Sequence, residues 1–414
     1  MAQLAGLSYS SPFYQLLQGA LGQAGFGTVQ SFLLDEFWQQ TMPVTKWQEL
    51  YPAGEENERG LIRQYFGTNE VPVMATYTAE NAEGHLIANE GFSVIQHGMP
   101  TAKLSYRYDN DSFEKGQELM AANANMTGIN AKIFNSFLKS TQDLINGIHS
   151  LRSYTGLLIE STGKYVSDST NNPGGVQGLT FDFTENVPNF SQNKKTCGSF
   201  AEEDTNYVRK GTPYAWSNQN SNPIGDLMDM AHTYEFIKHQ DTTQAVFRMN
   251  DYTANLFYNN PTVKKKVYLK LHGGDTIPEN IPYIDVSVQE VNNYLTLMGL
   301  PQIEVEKLRS AVYALDPVTK KLKKNLITGF KDGVVVLRAK GPVGHYDWKR
   351  VGNIAATAEN PMLYTDGNMI GIQQITKTEA GEIWFNGRNK GIPVPDNIDN
   401  VLYLDIATVP VVTT

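Results

Sequence analysis

A chain of 414 residues with 34 Lys plus Arg against 43 Asp plus Glu carries a formal charge of −9, so its surface as a whole repels phosphate, which disfavours a dedicated nucleic-acid reader. The single cysteine, Cys197, excludes an intrachain disulfide framework and a Cys-rich metal knuckle and fits a reducing compartment. The start at Met1-Ala2-Gln3-Leu4 lacks a basic segment followed by a long apolar run, and no window approaches ~20 apolar residues; a soluble, unexported chain of roughly two to three domains is expected.

Residues 1–60 break into short apolar patches, Phe13, Leu16 and Leu17, then Phe32 to Leu34, Phe37 and Trp38, with Gly19, Gly22, Gly25 and Gly27 between them. That spacing cannot hold one long helix and reads as an arm that packs on something else. From Glu70 to Tyr108 the pattern turns to period two. Val71, Val73, Ala75 and Tyr77 face one way, Asn81-Ala82-Glu83-Gly84 makes a polar tip, and Ala102, Leu104, Tyr106 and Tyr108 alternate with polar residues. This predicts a long β-hairpin or ribbon, which is marginal alone and should lie against another element or another subunit.

Asp111 with Glu114 approaches a capping box, and Ile129, Ile133, Phe137, Leu144, Ile148, Leu151 and Leu158 recur at helical intervals with no proline between Asp111 and Thr162. The spacing predicts a helix of about 50 residues and ~75 Å. Gly128, Gly147 and Gly156 each cost roughly 1 kcal/mol relative to Ala, which leaves a kink or a break into two helices open. The apolar spacing departs from a strict heptad, against a coiled coil.

Residues 163–223 are polar and turn-rich and read as connecting structure with a short strand from Leu179 to Phe183. An amphipathic helix follows from Ile224 to about His239 through Leu227, Met228, Ala231 and Phe236. Strands are expected at Val267 to Leu271, Tyr283 to Val288 and Gly333 to Arg338, with helices near Asn250 to Tyr258 and Val288 to Leu297. Closing strands are expected at Gly371 to Lys377, Gly381 to Phe385 and Val401 to Ala407. The mixture is of α+β class.

Catalytic chemistry finds little support. Gly22 to Gly27 reads G-x-x-G-x-G, the wrong order for a dinucleotide fingerprint, and neither a phosphate loop nor a G-x-S-x-G elbow occurs. Cys197 has no nearby His to activate it. Asp229, His232, Glu235 and His239 share one stripe of the predicted helix, yet no second such set occurs, so a solvated polar face outweighs a metal site. His345-Tyr346-Asp347 after a Gly-Pro-Val-Gly turn reads as a surface loop before it reads as a His-carboxylate pair. No catalytic residue, cofactor or metal is therefore expected. Asn, Gly and Tyr in polar loops would suit a carbohydrate-binding module, against which the long helix argues.

The order arm, hairpin, long helix, polar connector, α+β region and returning strands is similar to the Hong Kong 97-type capsid fold. Short stretches resemble the major capsid protein E family of lambda-type phage heads: Thr162-Gly163-Lys164, Phe181-Asp182-Phe183, Trp216-Ser217, Pro223-Ile224, Asp226-Leu227, Arg248-Met249-Asn250, Leu300-Pro301-Gln302-Ile303, Gly333 to Leu337 and Gly341-Pro342-Val343-Gly344. The likeness runs from about Val71 to Thr408. It implies an N-terminal arm over 1–60, an extended loop over 61–108, a peripheral domain with its spine helix over 109–225, an axial domain over 226–364 and closing peripheral strands over 365–414. It further implies a structural shell protein of a tailed-phage virion, assembled in the host bacterial cytoplasm as pentamers and hexamers around DNA, without sequence-specific DNA binding or a membrane. Scaffold, portal and decoration proteins are the other partners it suggests. Subunit contacts are expected at Phe13, Phe37, Trp38, Val73, Tyr77, Asn81, Glu83, Gly84, Trp216, Gly341 and Pro342. Shells of this fold that cross-link covalently use a lysine on the extended loop; no lysine lies between Lys46 and Lys103, so non-covalent joints are expected. An encapsulin-like cellular compartment, or an unrelated α+β enzyme or sugar-binding module, remain the alternatives.

Overall fold

A computed structural model describes residues 46–66, 93–108, 127–185, 187, 190–272, 286–316, 322–352, 362–377 and 382–407. They fall into two units, each built from separate stretches of chain. The first takes the described residues up to Ile62 with those of Gly98–Ser153 and Tyr346–Pro393; the second takes those of Arg63–His97, Tyr154–His345 and from Val394 on. The class is α+β, as the residue pattern predicts.

In the first unit a six-stranded sheet is organised on the strand Glu382–Pro395. Ile370–Lys377 pairs antiparallel along one edge of it and Thr101–Tyr108 along the other. The second half of the predicted ribbon therefore lies against another element of its own chain, and Glu382–Pro395 runs well past the expected end at Phe385. Ile145 and Ile148 of the long helix pack on Ile370 and Ile372 of this sheet. The close fit explains a glycine: a Cβ on Gly147 would stand 2.5 Å from Leu104 Cδ2.

The long helix is a single element from Thr127 to Thr162, about 54 Å at 1.5 Å per residue. It carries Gly128, Gly147 and Gly156 without a break, so tertiary packing offsets the propensity cost of the three glycines. The expected start at Asp111 and the ribbon tip lie outside the described residues. No helix among the described residues is long and apolar enough to cross a membrane.

The second unit is centred on a five-stranded sheet ordered Lys194–Thr196, Leu402–Asp405, Val334–Ala339, Ala245–Asn250 and Gln302–Glu306. Ala245, Phe247 and Met249 share one face with Val335, Leu337, Leu402 and Leu404. They form the core together with Leu227 and Met230 of helix Pro223–His232, Phe257 of Asp251–Asn259, Val263 and Val267 of Pro261–His272, and Val291 and Leu295 of Val288–Leu297. Val334 to Leu337 read as a continuous apolar run because both faces of this central strand are buried.

Three expectations are corrected. Val267 to Leu271 is helical, inside Pro261–His272, a helix with Pro261 at its first position and the Asn260 side chain accepting from Thr262 N; buried Val263 and Val267 show that the operative spacing is four. The expected helix Val288–Leu297 is present, opened by Ser287 and Glu290 in a full capping box, and Tyr283 to Asp285 of the strand expected before it lie outside the described residues. The polar stretch 163–223 is more than a connector. Phe181, Phe183, Cys197, Phe200 and Trp216 from it are buried, and Lys194–Thr196 adds a parallel strand to the sheet. Its apolar residues enter the core one at a time, so no periodicity announces them. The helix from Pro223 ends at His232 and continues as one π turn, Thr233–Ile237. The wider turn rotates Phe236 off the apolar stripe, and it is exposed.

Candidate functional site

Two buried ionic clusters dominate the electrostatics, one in each unit. In the second unit Glu160 lies in the last turn of the long helix, where the helix dipole disfavours a carboxylate. Arg248 and Arg338 project from the sheet face opposite the core and meet it: Arg248 Nε to Glu160 Oε1 is 3.1 Å and Arg338 Nε to Glu160 Oε1 is 2.7 Å. Arg248 also holds Glu306 at 2.9 Å and Glu304 at 3.2 Å. The pairing in parallel strands sets this arrangement, with Arg248 opposite Glu304 and Asn250 opposite Glu306. Burial pushes the Glu160 carboxyl upward, but the two guanidiniums hold it below the ordinary carboxylate range.

In the first unit Arg152 Nη1 lies 2.5 Å from Asp366 Oδ2, and its guanidinium stacks 4.7 Å from the Trp47 ring and 4.6 Å from that of Tyr346. Trp47 Nε1 donates to His149 Nδ1 at 2.9 Å, which fixes the neutral imidazole with its proton on Nε2. Burial, then Arg152, lower the His149 pKa from 6.5 to about 4, with Asp366 opposing. Because the folded value lies below the unfolded one, the unfolded chain takes up the proton first as pH falls. The contribution of His149 is complete above pH 6.5 and is lost toward pH 4, a span of roughly 3 kcal/mol. Urea titrations at pH 7, 6 and 5 should show wild type losing stability relative to His149→Gln; parallel curves would contradict this. The comparison must be between the two proteins, since Asp226, pushed by burial up to about 7, contributes with opposite sign over pH 3.8 to 7.

The sequence-derived candidates do not converge. Asp229 is buried and accepts from Lys210 N, Gly211 N and Tyr207 Oη. His232 stacks on Tyr207 and pairs with Asp204 at 2.9 Å, Glu235 accepts from Thr242, and His239 is exposed with φ 54°. Among the described residues no group of three His, Cys, Asp or Glu is placed to hold a metal. His345 pairs with Asp396, whereas Asp347 accepts from Asn57. Cys197 is fully buried and burial drives its thiol pKa upward, the state of an unreactive core cysteine. The clefts are open: one of about 330 Å³ lined by Asn218, Tyr252 and Asn259, and one of about 290 Å³ lined by Asp251, Arg309 and Asp332.

No family model matches the chain, and no curated protein matches it in sequence. Solved structures do. A phage-related protein of Bordetella bronchiseptica aligns at 11% identity over 97% of this chain and 98% of its own, with a TM-score of 0.40. A protein assigned as a prophage capsid protein of Escherichia coli aligns at 11% identity over 91% and 97%, TM-score 0.45. The capsid of an empty GTA particle aligns at 10% identity over 94% and 98%, TM-score 0.41. The chain is similar to these proteins along nearly its whole length.

Of the expected subunit contacts, Phe13, Phe37, Trp38, Val73, Tyr77, Asn81, Glu83 and Gly84 lie outside the described residues. Trp216 is corrected: it is 2% exposed and donates from Nε1 to Asp226 Oδ2 at 2.8 Å, so its side chain is used inside its own unit. Gly341, at φ 96°, and Pro342 are exposed and free of that objection. Close by, Gly344 lets the chain cross itself, since a Cβ there would stand 2.0 Å from Val394 O. The sequence reading missed Glu160, Arg338, His149, Arg152 and Asp366 as sites. No local pattern marks them, because their partners stand from 88 to 214 residues away along the chain.

Proposed function

We propose that this chain is the structural subunit of a closed protein shell, the major capsid protein of a tailed phage with a Hong Kong 97-type fold. The supporting observation is the order and threading of its elements. Leu61–Phe66 and Ser93–Gly98 form a two-stranded sheet that frames the segment 67–92, the long helix follows, and the chain returns after the α+β unit to build the six-stranded sheet. The reading rests on these elements and on the resembling stretches; several of those stretches sit at the most constrained points, with Arg248 in the ionic cluster, Trp216 on Asp226, and Gly344 at the crossing.

In this reading the unit centred on the five-stranded sheet, including most of residues 226–364, supplies contacts within pentamers and hexamers. Residues 67–92 tie neighbouring capsomers, and the apolar arm before Lys46 wraps a further copy. Charged and polar joints replace a covalent cross-link, since no lysine lies between Lys46 and Lys103. The shell encloses DNA as a solvated polyanion without reading its sequence, forms in the bacterial cytoplasm and takes scaffold, portal and decoration proteins as further partners. The chain acts by assembly and not as an enzyme.

Negative-stain microscopy of purified protein should show shells, rings or tubes. Replacing residues 71–91 by a short Gly-Ser turn should leave soluble capsomers at most. A longer deletion through Tyr108 is unsuitable, because it removes Thr101–Tyr108 from the six-stranded sheet. Closed shells from the shortened chain, or wild-type protein that stays monomeric at high concentration, would refute the proposal.

A further inference from the structure

Among the described residues, the strands Arg309–Leu315 and Leu322–Thr328 pair only with each other, as a two-stranded ribbon in full register from Arg309 opposite Thr328 to Leu315 opposite Leu322. Opposed residues of an antiparallel pair share a face. One face is partly covered: Ser310 is buried, and Val312, Ala314 and Ile327 are partly so, while Lys323 and Asn325 of the same face are exposed. The other carries Ala311, Tyr313 and Leu326, with Tyr313 63% and Leu326 65% exposed, flanked by exposed Arg309 and Lys324. A solvated strand face should be polar, and this one presents a contiguous aromatic and aliphatic stripe. The ribbon is also the wrong charge for its chain. Arg309 and Lys324 are exposed on its outward face, Lys307 just before it and Lys323 on its other face, and the only acid in the sequence from Lys307 to Lys324 is Asp316, in a molecule of net charge −9.

We infer that the outward face of this ribbon docks on the acidic surface of a second copy of the same chain. The stripe gives the contact its apolar centre, and Arg309 and Lys324 on the same face find on any neighbouring copy the excess carboxylates that their own chain carries. A ribbon on one copy that meets a different surface on the next is a head-to-tail contact, the kind that closes into a ring when the rotation allows. Polyanionic DNA would satisfy the cations but not Tyr313 and Leu326 side by side, so protein is the occupant. The inference rests on the shell-forming reading and assigns one of its contacts.

The test compares full-length wild type with Tyr313→Ser/Leu326→Ser and, separately, Arg309→Glu/Lys324→Glu. Sedimentation velocity and negative-stain microscopy are run over a concentration series, with and without 200-base-pair duplex DNA. Both variants should keep the wild-type circular dichroism and melting temperature, since every altered side chain is exposed, and should need at least tenfold more protein to assemble. Raised salt should weaken wild type and the serine variant but leave the charge-reversed variant nearly unchanged. Assembly of both variants at wild-type concentrations overturns the ribbon contact and leaves the shell reading intact. Wild type that never assembles overturns the shell reading itself. Unfolding of the serine variant would put the face in the chain's own core, and loss of DNA binding with normal assembly would make the ribbon a DNA contact; either overturns the inference.

Discussion

Glu160→Ala should lower the stability of the second unit by about 3–5 kcal/mol, the range for removing one partner of a buried ion pair. The Glu160 side chain is 0% exposed, Arg248 3% and Arg338 6%. Truncation leaves two guanidiniums facing each other in a water-poor space, with only Glu306 and the half-exposed Glu304 to balance them. Glu160→Gln keeps an acceptor for one arginine but loses the charge, so it should be intermediate. Arg248→Met leaves Glu160 and Glu306 without the cation between them and should cost a similar amount. Because these groups form one network, the double variant Glu160→Ala/Arg248→Met should be less destabilised than the sum of the singles. Urea unfolding followed by Trp216 fluorescence reports on this unit. A loss under about 1 kcal/mol for Glu160→Ala would show that water reaches the cluster and screens it.

Arg152→Met should be comparably damaging in the first unit, again about 3–5 kcal/mol. It strands the Asp366 carboxylate, whose side chain is 6% exposed, and removes the cation held between Trp47 and Tyr346. Methionine fills much of the volume, so the measured loss reports charge and stacking more than a cavity. Arg152→Lys should not restore wild-type stability, because an ammonium lacks the planar face that the two aromatic rings contact. Trp47 stands in the first described helix, Lys46–Leu50, inside the stretch 1–60 expected to be an arm. Its fluorescence should respond to Arg152→Met ahead of global unfolding. Full rescue by lysine would mean that only the charge at this position matters.

Local pattern made a good part of the fold legible. Val288 to Leu297 and the strands near Gly371 and Val401 follow from periodicity and turn residues, and the helix through Leu144, Ile148 and Leu151 follows from its three- and four-residue spacing. The readings failed where two periods compete or none exists. Val267-Tyr268-Leu269-Lys270-Leu271 alternates like a strand, yet Val263 and Val267 are one helical turn apart and both buried. Phe181, Phe200 and Trp216 are isolated apolar residues in polar loops, so nothing local says that they fill a core. Trp216 stands in a polar, turn-rich stretch, and only the acceptance of its indole N–H by Asp226 shows that it is used inside its own unit.

By itself the sequence determined the α+β class, the long proline-free helix, the acidic balance and the lack of a lysine between Lys46 and Lys103, because composition and short-range spacing are properties of the unfolded chain already. Only the tertiary structure decided what the charges do. Glu160 and Arg338 are 178 residues apart, and Arg152 and Asp366 214; an ion pair depends on distance in space and on the exclusion of water, neither of which is written in neighbouring residues. The same holds for the ribbon from Arg309 to Thr328. Its alternating residues predict two faces, and only packing chose the apolar Tyr313 and Leu326 to be the side left in solvent.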